Sequence, residues 1–503
     1  MTAATKRLLE QAKRMVELPS VSTDGNEELV NYLEGLLTQS GIKPKTQLVT
    51  HGLEGVSRRQ FNIIGVIGDP LVDRKIRRGL LLMSHLDTLS PGSPAAWVQT
   101  GGKPTELKVE GDKWFGLGTA DAKLDFLCKL QAMTKFLDQK LKEPIYLVGT
   151  CGHHLGHLGA RYLVQSQGLN PIVAFVGRPT GLRLASATKT GAVYRLDLGF
   201  QSIERGTRGF NRRVMVSSAG RIGDGCVIPG TAPVSGSRDA VGQLLQFLTL
   251  AQENGFEFKL TRITGGLSPH QIPDRAEAEV FLTSHQLEDF KRFFRESVRE
   301  FPEAKFLNLE LGGIGDLGIR FLPDALFACL AGVIESLRVL KEELKGFSDA
   351  QNEVPESTLN LGKVEPADNS LSLLFDIRLS QAMSPKDLDQ KIQAAFQPVV
   401  RQFPKINLRV RRESYLPAVN LGSDQEWVQL GVYGLGAAGL DAATVHTPHV
   451  SEAGLLIQKG YPALVFGAGT STANAGGPDE WVSAPDLGKA VRFYESVIER
   501  VCF

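Results

Sequence analysis

Cysteine is scarce in this sequence, and neither sign of charge dominates it. The 503 residues include five cysteines with no CxxC pair, so a disulfide framework or a zinc ribbon is not expected. There are 56 basic and 55 acidic residues, for a formal net charge of +1, and no run of one sign could follow a phosphate backbone. These absences predict a protein of a reducing cytoplasm with no nucleic-acid partner.

Long apolar runs are absent as well. No stretch approaches the ~20 apolar residues of a membrane span, and the opening residues MTAATKRLLEQAKRMVEL have the pattern of an amphipathic helix rather than of a signal peptide. We therefore expect a soluble protein with no membrane partner. A chain of this length, 42% apolar and 22% charged, is expected to form two domains or one domain inserted in another.

The two ends of the chain alternate short apolar segments with helical patterns. The apolar segments are rich in Ile, Val and Leu, as in strands that are covered on both faces. They are FNIIGVIG, GLLLMSHLDT, PIYLVGTC, PIVAFVG and YPALVFGAG. Helices are predicted at residues 121–139 and 156–167, and again in DLGKAVRFYESVIERV. This alternation predicts an α/β sheet flanked by helices.

The middle of the chain, residues 190–416, has longer amphipathic helices and is predicted to be a separate α+β part. The helix DAVGQLLQFLTLAQENG is followed by the strands FEFKLTRITGG and AEAEVFL and by another helix. A similar order of elements follows, which suggests a duplicated unit. We therefore predict an α/β domain over residues 1–189 and 417–503, with an insert at 190–416.

Two short motifs carry polar residues next to predicted strands and helices. His85 and Asp87 follow an apolar strand, at the end where open α/β sheets bind ligands. An imidazole there can bind a metal while the carboxylate holds its tautomer, although a polar strand end explains the motif equally well. Asp121 begins a helix after the Gly-rich turn in WFGLGTADAK, where it is either a helix N-cap or a ligand.

The order of these motifs resembles that of the zinc amidohydrolases, a family that includes aminoacylase, acetylornithine deacetylase, succinyl-diaminopimelate desuccinylase and carboxypeptidase G. The segments that carry the resemblance are LPSVS, HLDT, GLGTADAK, TGGLSPHQIPDRAEAEV, STLNLGKV followed by LLFDIR, and FGAGTSTANAGGPDEWV. They cover nearly the whole chain, and the long lid is most similar to the aminoacyl-histidine dipeptidase branch. The resemblance implies a zinc-exopeptidase-like catalytic domain with a central mixed sheet, and an inserted lid that closes on substrate or forms a homodimer.

The resemblance also implies the chemistry of the site. In such enzymes two zinc ions share a bridging aspartate, and a glutamate activates the attacking water. By position, His85 corresponds to a ligand of the first metal, Asp121 to the bridging aspartate and Asp87 to the carboxylate that supports the histidine. These three positions are intact.

Other positions depart from the family pattern. Where the family has adjacent glutamates, the base and then a ligand of the second metal, this sequence has His153 and His154. The acidic ligand of a motif like GEPT is Arg178 in GRPT, and the closing histidine falls at Gly476 in AGGPDE. The lid histidine that helps to hold the oxyanion has no counterpart near SSAGRIGDG.

Arg178 bears most directly on the first metal. An arginine is effectively always protonated, and two unit charges at ~4 Å repel by ~4 kcal/mol at an effective dielectric of ~20. The guanidinium can instead pair with Asp121 and replace the metal. For a second metal, His154 can replace a carboxylate ligand, and His153, His157 or His85 can join Asp121 in a mononuclear site. His153 can also act as a base. The predicted cofactor is therefore none or a single zinc, against the two zinc ions of the family.

Two functions remain open. The first, which the changes at three separate segments favour, is a non-catalytic binding or scaffold module for an unknown protein partner or for a small peptide or acyl-amino-acid ligand. The alternative is a metal-dependent dipeptidase or N-acyl-amino-acid deacylase with an altered mononuclear site. His270, in place of the lid asparagine, and Arg378 in FDIR are candidates for binding a substrate carboxylate. They are also explained as charged residues at the end of a lid strand.

Overall fold

The computed structural model describes most of the chain, and no helix in the part it describes is long and apolar enough to cross a membrane. The described residues are 3–50, 59–72, 75–166, 169–200, 204–205, 210–219, 239–273, 275–300, 307–314, 319–470 and 475–503. The chain divides into two compact units. The first contains Met1–Gly191, Asp349–Pro355 and Leu416–Phe503, and the second contains Ala192–Ser348 and Glu356–Tyr415.

The first part of the chain alternates helices and strands. The helices are α1 (Ala3–Glu17), α2 (Glu27–Gln39), α3 (Lys123–Thr134) and α4 (Leu158–Gln165), and the strands are β1 (Pro44–Val49), β2 (Gln60–Ile67), β3 (Leu71–Val72), β4 (Lys75–Ile76), β5 (Gly79–His85), β6 (Lys108–Glu110), β7 (Lys113–Phe115), β8 (Ile145–Thr150), β9 (Pro171–Gly177) and β10 (Leu184–Ala187). The helix predicted at 121–139 is present but shorter, since residues 135–138 are turns and residue 139 is a bend. The helix predicted at 156–167 is present as α4, and residue 167 lies outside the described part of the chain.

The middle part contains longer strands and helices. They are β11 (Thr190–Gly199), β12 (Glu204–Arg205), β13 (Phe210–Ala219), α5 (Ala240–Glu253), β14 (Lys259–Gly265), β15 (Arg275–Thr283), α6 (Leu287–Glu300), β16 (Leu307–Ile314), β17 (Arg320–Phe321), α7 (Asp324–Lys345), β18 (Thr358–Ala367), β19 (Ser370–Leu379), α8 (Pro385–Gln402) and β20 (Asn407–Leu416). The last part contains α9 (Glu426–Ala437), β21 (Thr444–His446), α10 (Ala453–Gln458), β22 (Ala463–Phe466), β23 (Trp481–Ser483) and α11 (Ala484–Cys502).

The first unit is built on an eight-stranded mixed sheet in the order β1-β2-β8-β5-β9-β22-β10-β21. Its centre is parallel, since β5 pairs in parallel with β8 and β9, and β9 with β22. Every residue of β5 is buried. Leu80 and Leu82 pack into one apolar cluster and Leu81 and Met83 into another, because successive side chains of a strand point to opposite faces. The predicted mixed sheet flanked by helices is confirmed.

The second unit contains a sheet in the order β16-β13-β15-β14-β18-β19-β11-β20. The element order helix, strand, strand, helix, strand occurs twice, first from α5 to β16 and again from α7 to β20. The sheet order is symmetrical about the β14–β18 pair, where Gly265 lies opposite Val364. The order of elements is therefore duplicated, as the repeated sequence pattern suggested, and the two halves form one continuous sheet.

One short segment departs from the predicted domain boundaries. Residues 349–355 lie inside the predicted insert, but they belong to the first unit. The Asn352 side chain donates to the carbonyl oxygen of Thr447 at 2.9 Å, and Asp349 pairs with His446 at 2.6 Å. These contacts join residues almost a hundred positions apart, so local patterns could not reveal them.

Candidate active site

Polar side chains gather at the carboxyl ends of the central parallel strands. His85 is the last residue of β5, Thr150 is the last of β8, and Arg178 directly follows β9. Because parallel strands end at one edge of a sheet, these residues meet there, as ligand-binding residues do in open α/β folds. All three are buried, so their polar atoms must find partners within the protein.

Arg178 lies at the centre of this group. Its Nη1 is 2.6 Å from Asp121 Oδ1, 2.9 Å from His85 Nε2 and 3.3 Å from His153 Nε2. Its Nη2 is 3.3 Å from His449 Nδ1. One guanidinium nitrogen thus contacts three side chains that the family resemblance assigns to metal binding and proton transfer.

The charges around Arg178 are strongly coupled. Burial opposes ionisation of Asp121, but Arg178 and His85 outweigh it and hold the pKa of that carboxyl far below its usual range. Burial acts to lower the pKa of His85, but the charge of Asp121, whose Oδ1 lies 3.0 Å from His85 Nε2, raises it overall. Among the described residues, Asp121 Oδ2 and Arg178 Nε are buried without a hydrogen-bond partner. The pair is therefore ionic but incompletely hydrogen-bonded.

Asp87 supports the site differently from the prediction. Its carboxylate accepts hydrogen bonds from the backbone N–H groups of His153 at 3.0 Å and His154 at 3.3 Å, and from the Ser22 hydroxyl. His85 Nδ1 instead lies 3.0 Å from the backbone carbonyl oxygen of Asp87, closer than the 3.9 Å to its carboxylate. Asp87 thus orders the turn that carries the two histidines, while its backbone orients His85.

The histidines of the TCGHHLGHLGA segment pack closely beside His85. The His153 ring stacks on His85 with centroids 4.1 Å apart, and the half-buried His154 meets both rings edge-on, at 5.6 Å from His85 and 5.0 Å from His153. This segment forms a tight turn between Gly152 and Gly156, which both have positive φ. The turn places His153 and His154 next to His85.

His153 also joins a second cluster, with His157 and Glu452. These three are buried, and one ligand atom of each lies within 4.8 Å of the others, which makes them a possible metal-binding group. Burial lowers the pKa of His153 well below its ordinary value, with a further contribution from His85. Burial raises the pKa of Glu452 to about 7.

Two predicted features of the site involve residues near undescribed segments. Gly476 is buried with φ +75° and, being glycine, supplies no side chain to the site. Residues 471–474 before it lie outside the described part of the chain, as do residues 220–225 of SSAGRIGDG and Cys226.

His270 and Arg378, the two lid candidates, share a carboxylate within the second unit. His270 Nδ1 lies 3.3 Å from Asp376 Oδ1, and Arg378 Nε donates to Asp376 Oδ2 at 3.0 Å. Arg378 Nη1 is buried and has no hydrogen-bond partner among the described residues. A buried guanidinium N–H of this kind is suited to a carboxylate ligand.

Sequence reasoning gave little weight to two residues of the site. In the sequence, Glu452 and His449 lie in VHTPHVSEAG. This segment resembles a substrate-side loop of the family, but a plain loop explains its residues equally well. The signal that could have separated them was the cluster of two histidines and a glutamate within seven residues. Their partners, His153 and Arg178, lie 299 and 271 residues away.

Comparison with known proteins agrees with the resemblance. An acetylornithine deacetylase from Yersinia pestis is 31% identical over 187 residues, which are 36% of this chain and 46% of that protein. The chain thus spans less than half the length of the curated relatives it matches. Among solved structures, an aminoacylhistidine dipeptidase from Vibrio alginolyticus is 16% identical with a TM-score of 0.53, covering 100% of this chain and 97% of that one.

A second solved structure, human carnosine dipeptidase 1, is 13% identical with a TM-score of 0.58, covering 98% of this chain and 96% of that one. At these identities the two structures establish the fold alone. A profile of the peptidase family M20/M25/M40 matches residues 81–500, well over half of the sequence. The predicted family is confirmed: this chain belongs to the peptidase family M20/M25/M40.

Proposed function

We propose that this chain uses the peptidase fold to bind a ligand and does not carry out two-zinc hydrolysis, because the guanidinium of Arg178 takes the place of the first metal. The observation that carries the proposal is the position of Arg178 Nη1, 2.6 Å from Asp121 Oδ1 and 2.9 Å from His85 Nε2. Those two atoms belong to the residues that the family resemblance assigns to the first zinc.

The residues present do not fit a pair of zinc ions. A guanidinium has no lone pair to offer and stays protonated, so a dication next to it would meet uncompensated repulsion. Asp121 already pairs with the arginine, and Gly476 supplies no side chain where the family has a histidine. Each change alone removes part of a two-metal mechanism, which needs both cations to bind and activate water.

The ligand class proposed is a small peptide or an N-acyl amino acid. The similar proteins are a deacetylase of acetylornithine and dipeptidases by name, and such ligands carry a free carboxylate. Arg378 supports this choice, since its buried Nη1 has no partner among the described residues and arginine binds carboxylates with paired hydrogen bonds. The unknown protein partner and the homodimer through the lid stay predictions.

A second candidate is a hydrolase with a single altered metal, held by His85, Asp121 and His154. The observation that favours it is the His153–Glu452 pair, whose Nδ1 and Oε1 are 3.0 Å apart. Because burial raises the pKa of Glu452 to about 7, this pair can accept a proton near neutral pH at the position of the family's base.

Ligand binding and hydrolysis separate the two candidates. The protein is titrated calorimetrically with a panel of dipeptides and N-acyl amino acids, with and without added Zn²⁺, Mn²⁺ or Co²⁺, and the same mixtures are analysed for products by mass spectrometry. We expect binding without products, and binding weakened in Arg378→Ala but retained in Arg409→Ala, a charged lid residue outside the Asp376 network. Metal-stimulated product that disappears in Asp121→Ala would instead establish the second candidate.

A further inference from the structure

We propose that His153, His157 and Glu452 form a binding site for one divalent transition metal of the zinc class, displaced from the metal positions of the family. Two imidazoles and a carboxylate are an established ligand set for zinc. By the sequence resemblance, His157 and Glu452 stand at none of the family's metal-ligand positions, and His153 stands at the base.

The distances between the three ligand atoms fit a metal without rearrangement. His153 Nδ1 lies 3.0 Å from Glu452 Oε1 and 3.3 Å from His157 Nδ1, and His157 Nδ1 lies 3.9 Å from Glu452 Oε1. A triangle with these edges, 3.0, 3.3 and 3.9 Å, has its corners about 2.0 Å from a common point, which is the length of Zn–N and Zn–O bonds.

Surrounding groups hold the ligands in place. The Thr150 hydroxyl donates to Glu452 Oε2 at 2.9 Å, which leaves Oε1 directed at the two histidines. The Asp87 carboxylate accepts from the backbone of His153 at 3.0 Å. His157 adopts φ +62°, a conformation uncommon for non-glycine residues and concentrated at functional sites. Supporting contacts of this kind orient ligands and strengthen metal binding.

Arg178 does not prevent a metal from binding at this position. Its charge is already paired with Asp121 at 2.6 Å, and its 3.3 Å contact with His153 Nε2 is longer than those with Asp121 and His85. A metal on His153 Nδ1 requires the ring proton to reside on Nε2. That nitrogen then no longer accepts a hydrogen bond from Arg178 Nη1, so only this long contact is lost. Glu452 supplies a negative charge for the added cation, so the site gains its metal without breaking the Arg178–Asp121 pair.

Direct metal titration tests the inference. Protein freed of metal by a chelator is titrated with CoCl₂, whose visible absorption reports coordination geometry, and with ZnCl₂ in a calorimeter. We expect one metal per chain. His157→Asn, which keeps a residue tolerant of positive φ, and Glu452→Gln should each weaken binding by about tenfold or more. His154→Ala is the matched control, because it removes the neighbouring histidine at the family's metal position and should leave binding unchanged.

Two outcomes would overturn the inference: no stoichiometric metal in the wild-type protein, or binding lost in His154→Ala and kept in His157→Asn and Glu452→Gln. Circular dichroism of the metal-free variants checks that each remains folded. The inference goes beyond the proposed function, because it concerns binding alone. Hydrolysis by the metal-loaded protein would contradict the proposed function and leave this site intact, whereas absence of metal would contradict this site alone.

Discussion

The first unit contains two buried carboxylate–cation pairs whose aspartates are only four residues apart in the sequence. The two pairs differ in how completely their polar atoms are hydrogen-bonded. In the first, Lys129 Nζ is 2.6 Å from Asp125 Oδ2, 2.6 Å from the carbonyl oxygen of Met83 and 3.0 Å from Ser84 Oγ. The Tyr494 hydroxyl donates to the other oxygen of Asp125 at 2.7 Å. Every strong hydrogen-bonding atom of this pair has a partner, as expected of a structural ion pair.

The second pair, Asp121 and Arg178, leaves Asp121 Oδ2 and Arg178 Nε without partners in the described part of the chain. Its remaining contacts go to histidines, and those to His153 and His449 are long, at 3.3 Å. The difference teaches that the second pair is the less completely hydrogen-bonded of the two. This incomplete hydrogen bonding supports our proposal that the guanidinium of Arg178 takes the place of a metal.

Lys129→Met should give the largest loss of stability. It leaves the buried Asp125 carboxylate without a cation, and breaking a buried pair in this way costs about 3–5 kcal/mol. The free energy of unfolding is measured by urea denaturation at neutral pH. Lys135→Met, at an exposed lysine just after the same helix, is the control and should change stability little. A Lys129→Met protein as stable as the wild type would contradict a structural role for this pair.

Arg178→Met should destabilise less, and its effect should depend on pH. His85 has a pKa raised by Asp121, and without Arg178 the imidazolium can pair with that carboxylate. Stability from a raised histidine pKa is fully present below its unfolded value of ~6.5 and is lost as pH rises through its folded value. We expect a loss of about 3 kcal/mol at alkaline pH and a smaller loss at mildly acidic pH.

The measurement for Arg178→Met is urea denaturation across that pH range, in chelator, beside the wild type. His85→Gln in the Arg178→Met background is the control, because it removes the imidazolium that we expect to replace the arginine beside Asp121. A loss of stability that is equal at both ends of the range would show that His85 does not replace the arginine.

Arg178→Lys should give the smallest effect and tests how alike the two pairs are. The ammonium keeps the charge beside Asp121, as Lys129 does beside Asp125, but it lacks the second nitrogen that contacts His449 at 3.3 Å. We expect a loss of about 1 kcal/mol, the value of one hydrogen bond, by urea denaturation. A loss as large as that of Arg178→Met would mean that the guanidinium shape matters more than its charge.

The elements of the sheet were predictable because their signals are local. The segments around β5, β8 and β9 are short apolar runs, and a parallel central strand covered on both faces requires that composition. Segment 349–355 was predicted to belong to the insert, whereas it groups with the first unit. It is joined to that unit by contacts with residues 446 and 447, which no periodic pattern records. The buried Asp125–Lys129 pair was also missed, although its spacing of four in an otherwise apolar helix was a visible signal.

The sequence by itself determined the order of the motifs and therefore the family, and it identified His153, His154, Arg178 and Gly476 as departures, since residue identity needs no coordinates. Only the tertiary structure decided that the guanidinium of Arg178 reaches both Asp121 and His85, and that Glu452 meets two histidines almost three hundred residues earlier in the chain. The physical reason is that distances between side chains on different strands and loops are set by the packing of the whole sheet, whereas a sequence pattern reports only what lies within a few turns of the same segment.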